Sequence, residues 1–446
     1  MGRNVRKYLL GLVGVSLALA GTAWAAQLSA ETKECLECHK EQMPGLVTQW
    51  ETSSHWNAGV GCYECHRAEP GEPDAMDHNG WTVAIIVSPK DCGRCHSKEA
   101  AEQEASHHAQ AGNILNSKDA LLGQTVAGEP AVAVGCRQCH GSIVETNPDG
   151  TLSASTWPNT GIGRVNPDGS KGTCSACHTR HRFSKAQARK PDVCGKCHLG
   201  PDHPQKEVYE ESKHGILFRA FEEELNMDNP KWVAGEDYFD APTCATCHMS
   251  ATPNQPVTHD VGARLSWNLR APVSTRTKDW EKKLANMKDV CTACHGAQFV
   301  DGFYKQFDDF VDLYNTKFAI PAKEIRSLLI QEGVISKANF DDQIDWMYWT
   351  LWHHAGRRGR HGAAMSGPDY AFWNGIYDVA KIFYTEFLPE AKEACEKAGK
   401  PELYKRILSE YIENDPRHEW YVKGFDPKRV EAIRKYYQER YNQKVE

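Results

Sequence analysis

The sequence lacks the features that mark several common classes of protein. No run of lysine and arginine reaches the length of a nucleic-acid footprint, and the net charge at pH 7 is only −7. After residue 20, no apolar run approaches the ~20 residues that a membrane-spanning helix needs. Of the 17 cysteines, only Cys395 stands outside a pair. We therefore expect no nucleic-acid partner and no membrane-spanning segment in the mature chain.

The amino terminus has the order of charge and hydropathy of a secretory signal peptide. Three basic residues within the first seven precede an apolar stretch over residues 9–20, and Ala23-Trp24-Ala25 supplies small residues for cleavage. Because the apolar stretch is shorter than a spanning helix, cleavage is favoured over anchoring. We expect residues 1–25 to be removed and the mature protein to be soluble and periplasmic.

Sixteen cysteines form eight Cys-x-x-Cys pairs, and a histidine follows every pair directly. The cysteines are Cys35, Cys38, Cys62, Cys65, Cys92, Cys95, Cys136, Cys139, Cys174, Cys177, Cys194, Cys197, Cys244, Cys247, Cys291 and Cys294. The histidines are His39, His66, His96, His140, His178, His198, His248 and His295. Chance placement of these residue types would give about 0.5 such motifs. The regular spacing argues against the disulfides that an exported chain would otherwise be expected to hold.

This five-residue pattern is typical of covalent haem c attachment. Two cysteines three positions apart can add to the two vinyl groups of one porphyrin, and the next residue becomes an axial ligand of the iron. Structural zinc also uses Cys-x-x-Cys, but it would need pairs of pairs and does not require a histidine after each pair. We therefore predict eight covalently bound haem c groups. Cys395 lies in a helical stretch and is expected to be packed.

Twelve further histidines are available as second axial ligands. They are His55, His78, His107, His108, His181, His203, His214, His259, His353, His354, His361 and His418. We assign seven of them to distal positions: His55, His78, His107, His181, His214, His259 and His353. A haem iron with two histidine ligands has no place for substrate and serves electron transfer. The count alone leaves open whether an eighth haem keeps a free face.

The spacing of the motifs and the sequence that follows them predict a mainly α fold with few or no strands. The motifs follow one another at 20 to 50 residues without a fixed period, which argues against a solenoid of equal repeats. From about residue 303 the chain has no motif, and Phe307, Phe310, Val311 and Tyr314 recur at helical spacing. We predict a loop-rich haem domain over residues 26–300. A helical carboxy-terminal part over 301–446 would cover it and contact other subunits.

Two clusters in this carboxy-terminal part each admit two interpretations. The aromatic side chains within residues 346–352 either contact haem or pack in the core. The three arginines within residues 357–360 either pair with haem propionates and an anionic substrate, or form a solvated surface.

Several stretches resemble the octahaem hydroxylamine oxidoreductase family. They are residues 135–142, 156–169, 179–181, 188–191, 199–204, 211–215, 352–354, 357–362 and 367–370. They occur in the family's order over most of the mature chain, with the same number of haems. The resemblance implies seven bis-histidine haems that relay electrons. It also implies a catalytic haem with an open distal face at the fourth motif, above His140 and beneath the carboxy-terminal part.

The resemblance also implies roles for three residues outside the motifs. Asp202 and His203 match the family's Asp-His pair and would move protons on the distal side, although a turn aspartate beside an ordinary distal ligand is the alternative. Members that oxidise hydroxylamine or hydrazine carry a tyrosine from a neighbouring subunit cross-linked to the catalytic haem. Tyr370 is the candidate here, with Tyr377 as its alternative, and Tyr304 is a further distal candidate.

The expected function is redox chemistry on a small nitrogen compound. Oxidation of hydroxylamine comes first, with ammonia-forming reduction of nitrite or hydroxylamine at the same haem as the alternative. A pure electron conduit with eight six-coordinate haems is the third possibility. The resemblance implies a homotrimer, and the expected partner is a cytochrome c or a quinone-linked redox protein.

Overall fold

The computed structural model describes residues 27–118 and 121–441, and the predicted signal peptide lies outside them. In the described part, helices predominate over two short antiparallel strand pairs. Ala75–His78 pairs with Trp81–Ala84, and Trp267–Asn268 pairs with Thr275–Arg276. The prediction of a mainly α fold with few strands is therefore confirmed. Among these residues, no helix combines the length and the hydropathy needed to cross a membrane.

Short helices joined by turns make up the part of the chain that carries the motifs. The α-helices are Ala30–Gln42, Pro44–Glu51, Ser54–Asn57, Cys62–His66, Pro89–Gly93, Ser97–Ala105, Glu129–Val134, Cys136–His140, Lys185–Arg189, Pro191–Gly195, Gln205–Glu211, Lys213–Phe221, Cys244–His248 and Trp280–Thr292. Ala111–Asn116, Cys174–Ala176 and Glu222–Glu224 are 3₁₀ turns, and Leu121–Ala127 is π-helical.

Several haem-attachment motifs occupy a single helical turn of their own. Cys62–His66, Cys136–His140 and Cys244–His248 are each one α-helical segment. Residues three and four apart lie on the same face of a helix, so the second cysteine and the histidine both stand beside the first cysteine. The pattern therefore presents two sulfurs and one imidazole to the same side without help from distant residues.

Glycines allow the loop after the fourth motif to run directly over it. Gly141 ends the motif helix with φ +82, a conformation that favours glycine. A Cβ on Gly161 would lie 2.0 Å from the Gly141 nitrogen, and one on Gly163 would lie 2.8 Å from the His140 carbonyl oxygen. Larger residues at these positions would displace the loop from the fourth motif.

Longer helices follow, and several are interrupted by π-helical turns. In order they are Ala297–Tyr314, Asn315–Ala319 (π), Ile320–Gln331, Gln343–Trp349, Thr350–Gly356 (π), Arg357–Ala364, Pro368–Ala371, Phe372–Tyr377 (π), Asp378–Ile382, Phe383–Phe387 (π), Leu388–Lys397, Pro401–Leu408, Ser409–Glu413 (π), Pro416–His418 (3₁₀), Glu419–Lys423 and Pro427–Tyr441. The helical periodicity predicted at residues 307–314 is confirmed. The predicted domain boundary at residue 300 falls inside the first of these helices.

The largest apolar core of the described residues lies among these carboxy-terminal helices. Phe383, Phe387 and Leu351 are completely buried in it. Cys395 is also completely buried there, which confirms the prediction that this thiol is packed. Of the aromatic residues at 346–352, Tyr348, Trp349 and Trp352 belong to this core, whereas Trp346 is 39% exposed. Core packing is thus the better interpretation for three of the four.

Candidate functional site

A cavity of about 2650 Å³ runs through the part of the chain that carries the motifs. Cysteines from all eight motifs line it, together with most of the histidines. The motif helices hold these side chains on one face, so sulfur and imidazole groups converge on shared space. The arrangement suits large flat cofactors that are enclosed by the chain rather than laid on its surface.

Six of the motif histidines each face a second histidine across this cavity. With the distances between ring centroids, the pairs are His39 with His78 (6.1 Å), His66 with His181 (6.4 Å), His96 with His55 (6.2 Å), His178 with His259 (6.5 Å), His198 with His108 (6.1 Å) and His295 with His214 (6.0 Å). Five of the second histidines belong to the seven assigned from the sequence. The sixth, His108, was a candidate outside that set.

The spacing of these pairs fits one iron atom between two imidazoles. With metal–nitrogen bonds of about 2.0 Å and about 1.1 Å from nitrogen to ring centre, the two centroids lie about 6.2 Å apart. The observed separations of 6.0–6.5 Å agree with this value. The spacing of these histidine pairs therefore fits bis-histidine haem groups.

The sixth motif is approached by two histidines, and hydrogen bonding distinguishes them. His108 and His203 both lie 6.1 Å from the His198 ring. Both ring nitrogens of His203 are engaged, Nδ1 with Asp202 Oδ1 at 2.5 Å and Nε2 with the Cys197 carbonyl at 2.9 Å. A nitrogen that donates a proton to an oxygen has no lone pair for a metal. His108 is therefore the better ligand for the iron of this motif.

Two histidines assigned from the sequence have other surroundings. His107 lies beside Gly262, whose neighbour Val261 is hydrogen-bonded through its backbone to His248 of the seventh motif. His107 therefore lies near the seventh motif, but it does not form a ring pair with His248 like the six pairs described above. His353 instead stacks on Trp349, with centroids 3.9 Å apart, and its Nε2 lies 3.9 Å from Asp202 Oδ2. The structure thus places His353 in the Asp-His cluster.

Contacts between cysteines show which motifs are neighbours. Cys35 and Cys62 interact electrostatically, as do Cys65 with Cys92, Cys177 with Cys194, and Cys247 with Cys291. Cys92 and Cys174 are within hydrogen-bonding range, and so are Cys194 and Cys244. Seven motifs therefore follow one another in the order one, two, three, five, six, seven, eight.

The fourth motif branches from this chain at the sixth. The Cys139 sulfur lies within hydrogen-bonding range of the Cys197 sulfur, and the charge of His203 acts on Cys139. The Asp202-His203 pair predicted from the sequence therefore lies beside the fourth motif, at its junction with the sixth. A group bound at the fourth motif would be at the end of a branch, while the other seven motifs form a continuous path.

His203 is held as a cation by its two partners. A carboxylate and a carbonyl both only accept, so each ring nitrogen of His203 must carry a proton to satisfy both bonds. Burial acts to lower the pKa of His203, but its hydrogen bond to Asp202 and the charge of that carboxylate raise the pKa above its usual value. Burial acts to raise the pKa of Asp202. The hydrogen bond from His203 and the positive charges of His203, His353 and Arg357 outweigh burial, so the pKa of Asp202 is lowered.

Arg357 completes the cluster from the carboxy-terminal helices. Its Nη1 donates to Asp202 Oδ2 at 3.1 Å, and its Nε and Nη2 donate to the Arg270 carbonyl. It follows the π-helical turn Thr350–Gly356, a type of turn that is frequent at functional sites. Arg360 is completely buried and bonds the Gly356 and Ala271 carbonyls. The solvated-surface interpretation is therefore wrong for these two arginines, and only Arg357 reaches the candidate site.

His361 adds a neutral group that sequence reasoning did not select. Burial lowers the pKa of His361 to about 3. Its Nε2 lies 3.4 Å from the side-chain amide nitrogen of Gln205, two residues after His203. His361 was one of the twelve candidate ligands and lies within the family-like stretch 357–362, but nothing in the sequence placed its ring beside Gln205.

The candidate tyrosines occupy three different surroundings. Tyr370 is half-buried, and burial with the charges of Glu207 and Glu211 raises its pKa. Those glutamates lie on the helix that follows the Asp-His pair. Tyr377 is 48% exposed. Tyr304 lies within hydrogen-bonding range of Cys291 in the eighth motif, which is the wrong motif for its predicted distal role.

Comparison with protein families identifies the class of this chain. Residues 58–341 match the family described as "Seven times multi-haem cytochrome CxxCH", and residues 19–67 match that described as "Cytochrome c554 and c-prime". The first match covers more than half of the chain, so the protein belongs to the multihaem c-type cytochromes. Haem c is bound covalently, as the motifs predict, and electron transfer is its general function. The matched family is defined by seven motifs, whereas this chain carries eight.

Individual relatives include proteins of nitrogen metabolism and of general electron transfer. The chain is 26% identical over 335 residues to a probable nitrite reductase-hydroxylamine oxidoreductase fusion protein of Kuenenia stuttgartiensis, covering 62% of this chain and 35% of that protein. It is 24% identical over 339 residues to a c-type polyhaem cytochrome of Geobacter sulfurreducens, covering 68% of this chain and 32% of that protein. The chain spans about a third of the length of these two curated relatives.

Two solved structures share the fold. A hypothetical multihaem protein superposes with a TM-score of 0.73 at 25% identity, covering 86% of this chain and 98% of that chain. A reducing HAO-like protein complex of Kuenenia stuttgartiensis gives a TM-score of 0.59 at 21% identity, covering 84% of this chain and 87% of that chain. At that identity the second likeness concerns the fold alone.

Proposed function

We propose that the chain is a periplasmic octahaem cytochrome that reduces nitrite or hydroxylamine to ammonia at the haem of the fourth motif. The observation that carries the proposal is the doubly hydrogen-bonded His203 beside Cys139. Reduction of these compounds consumes protons together with electrons, and a resting imidazolium is a proton donor already in position. Oxidation would instead need a base in the resting site.

The chain supplies three functions around the fourth haem. When bound, the haem provides an iron that binds nitrogen and passes electrons to it. His203 donates the proton, and Asp202 keeps the ring charged and oriented. Arg357 holds Asp202 in place and adds positive charge that favours an anion such as nitrite.

The order of the motifs supplies the electron path for this proposal. Seven bis-histidine haems would form the continuous chain, and the fourth would receive electrons through the sixth. The assigned ligands are His78, His181, His55, His259, His108, His107 and His214 for motifs one, two, three, five, six, seven and eight. The electrons would come from a cytochrome c or a quinone-linked protein, and the homotrimer that the family resemblance implies remains part of the proposal.

Hydroxylamine oxidation is the second candidate function. It is favoured by Tyr370, which lies against the helix that follows the Asp-His pair. It is also consistent with the name of the Kuenenia stuttgartiensis fusion protein. The same His203 would then accept a proton, after losing its own to solvent. A conduit without catalysis gives the Asp202-His203-Arg357 cluster no role.

The direction of the reaction can be tested with the purified holoprotein. We expect reduced methyl viologen to drive ammonium formation from nitrite and hydroxylamine, because His203 is charged at rest. Ammonium release is measured beside the haem spectrum. In the matched assay, hydroxylamine is added to the oxidised protein under anaerobic conditions, and haem reduction and ammonium are measured. Rapid haem reduction without ammonium formation would favour hydroxylamine oxidation over the proposed reduction. Inactivity in both assays would favour a non-catalytic electron-transfer protein.

A second prediction concerns Tyr370. We expect no covalent bond between Tyr370 and a neighbouring haem, because the family resemblance associates that bond with members that oxidise their substrate. A haem-stained denaturing gel should show one monomer band for the wild type and for Tyr370→Phe, with and without reductant. A reductant-resistant oligomer that disappears only in Tyr370→Phe, and not in Tyr377→Phe, would favour hydroxylamine or hydrazine oxidation.

A further inference from the structure

Three carboxylates meet between the third and fifth motifs, away from the Asp-His cluster. Oxygens of Asp74, Asp91 and Asp168 all lie within 4.8 Å of one another. Asp74 is only 4% exposed and Asp91 only 7%, so the group is enclosed by the chain. Asp74 follows the second motif, Asp91 immediately precedes Cys92, and Asp168 lies in a turn before Cys174. The cluster therefore joins three segments that are distant in sequence.

The surrounding hydrogen bonds leave one buried carboxylate oxygen without a partner. Ser88 donates to both neighbours of Asp74, through Oγ to Asp168 Oδ2 at 2.6 Å and through its backbone N–H to Asp91 Oδ2 at 2.8 Å. Asp74 Oδ1 is buried and has no hydrogen-bond partner among the described residues. An unpartnered buried oxygen costs about 1–3 kcal/mol, and more when it is charged. Its position between two further carboxylates makes the cost larger.

The positive charges nearby do not balance the cluster. Arg94 Nη1 lies 3.0 Å from Asp91 Oδ1. Lys90 acts on Asp74 and Asp168 from a greater distance, with its Nζ 2.5 Å from Glu72 Oε1, and the charge of Arg164 acts on Asp168. Burial, followed by the charge of Asp168, raises the pKa of Asp74, as expected for a carboxyl group that faces uncompensated negative charge. Of the three carboxylates, only Asp91 has an ion-pair partner among the described residues, and Asp74 and Asp168 have none within the enclosed cluster.

We propose that Asp74, Asp91 and Asp168 bind a calcium ion that ties the third haem motif to the fifth. Calcium takes several oxygen ligands in irregular geometry, and carboxylates are its preferred ligands in proteins. A divalent ion would offset the carboxylates of Asp74 and Asp168, which have no ion-pair partner among the described residues, and it would give Asp74 Oδ1 its partner. Cys92 directly follows Asp91, Cys174 lies six residues after Asp168, and the two cysteines are in contact. The ion would therefore hold together the haem groups of the third and fifth motifs.

The chain contains its own matched control for this site. The turns at residues 147–150 and 166–169 both read Asn-Pro-Asp-Gly. In each, the aspartate Oδ1 accepts from the backbone and the hydroxyl of the residue two positions later. Asp149 is exposed, whereas Asp168 meets Ser88 and the other two carboxylates. Asp149→Asn therefore changes the same turn without touching the proposed ligands.

The test measures calcium on the complete holoprotein, with haem content checked in every variant. After treatment with EGTA and equilibrium dialysis against calcium chloride, wild type and Asp149→Asn should hold about one calcium per chain. Asp74→Asn and Asp168→Asn should bind calcium at least about 100-fold more weakly. EGTA should lower the unfolding temperature of wild type and Asp149→Asn only.

Three results would overturn the proposal. The first is wild-type protein that binds no calcium at millimolar concentrations, and the second is Asp168→Asn that binds calcium as tightly as wild type. The third is an Asp74→Asn variant that unfolds at a higher temperature than wild type regardless of calcium. That increase would mean that the carboxylates share a proton rather than a metal ion.

Discussion

Replacing His203 with alanine should abolish most turnover while leaving haem attachment intact. In the proposed reduction this side chain is the proton donor, and a positioned general acid contributes about 100-fold to 10,000-fold to rate. We expect a loss of at least about 100-fold in ammonium formation from nitrite. The haem content should not change, because His203 bonds the backbone carbonyl of Cys197 and not its sulfur. Activity with reduced methyl viologen and the pyridine haemochrome spectrum measure the two quantities.

Asp202→Asn and a distant histidine provide the comparisons for this result. Asp202→Asn removes the partner that keeps His203 charged, so it should lower turnover as well. Because the two residues act as one unit, the double variant should lose little more than His203→Ala alone. His418 is buried in the carboxy-terminal core and hydrogen-bonded to Tyr384 at 2.6 Å. His418→Gln should keep its activity, and a fully active His203→Ala would remove the proton-donor role.

The second large effect is expected from replacing His214, which faces His295 of the eighth motif with ring centroids 6.0 Å apart. Removing a distal imidazole leaves its iron with a free position, which carbon monoxide can occupy after reduction. We expect the wild type to bind one carbon monoxide per chain, at the fourth haem, and His214→Ala to bind two. Titration of the reduced protein, followed by its absorbance, gives the count.

His353→Ala sharpens this measurement, because the sequence and the structure give different expectations for it. As a distal ligand, its loss would add a carbon monoxide site as His214→Ala does. As a member of the Asp202 cluster, stacked on Trp349, its loss should leave the count at one. A second carbon monoxide in His353→Ala would restore the assignment made from the sequence. An unchanged count in His214→Ala would contradict the bis-histidine pairing itself.

Much of the chemistry of this protein is determined locally, and the sequence is sufficient for that part. Each Cys-x-x-Cys-His motif needs only its own helical turn to bring two sulfurs and an imidazole to one side, as in Cys136–His140. For this reason the class of protein and its cofactor follow from spacing alone. The mainly α fold, the helix around residues 307–314 and the burial of Cys395 follow from residue type and periodicity in the same way.

The partners of these motifs are decided only by the tertiary structure. His66 faces His181, beyond three other motifs, and His108 rather than its neighbour His107 faces His198. A sequence pattern cannot distinguish two adjacent histidines as ligands. The packing of distant loops determines which of the two points at a given haem. Arg357 likewise reaches Asp202 and donates a hydrogen bond to it, because a carboxy-terminal helix packs on the haem region. The pairing of the histidines and the charge balance around Asp202 depend on distances between residues that are remote in sequence. The spacing of residues along the chain does not give those distances.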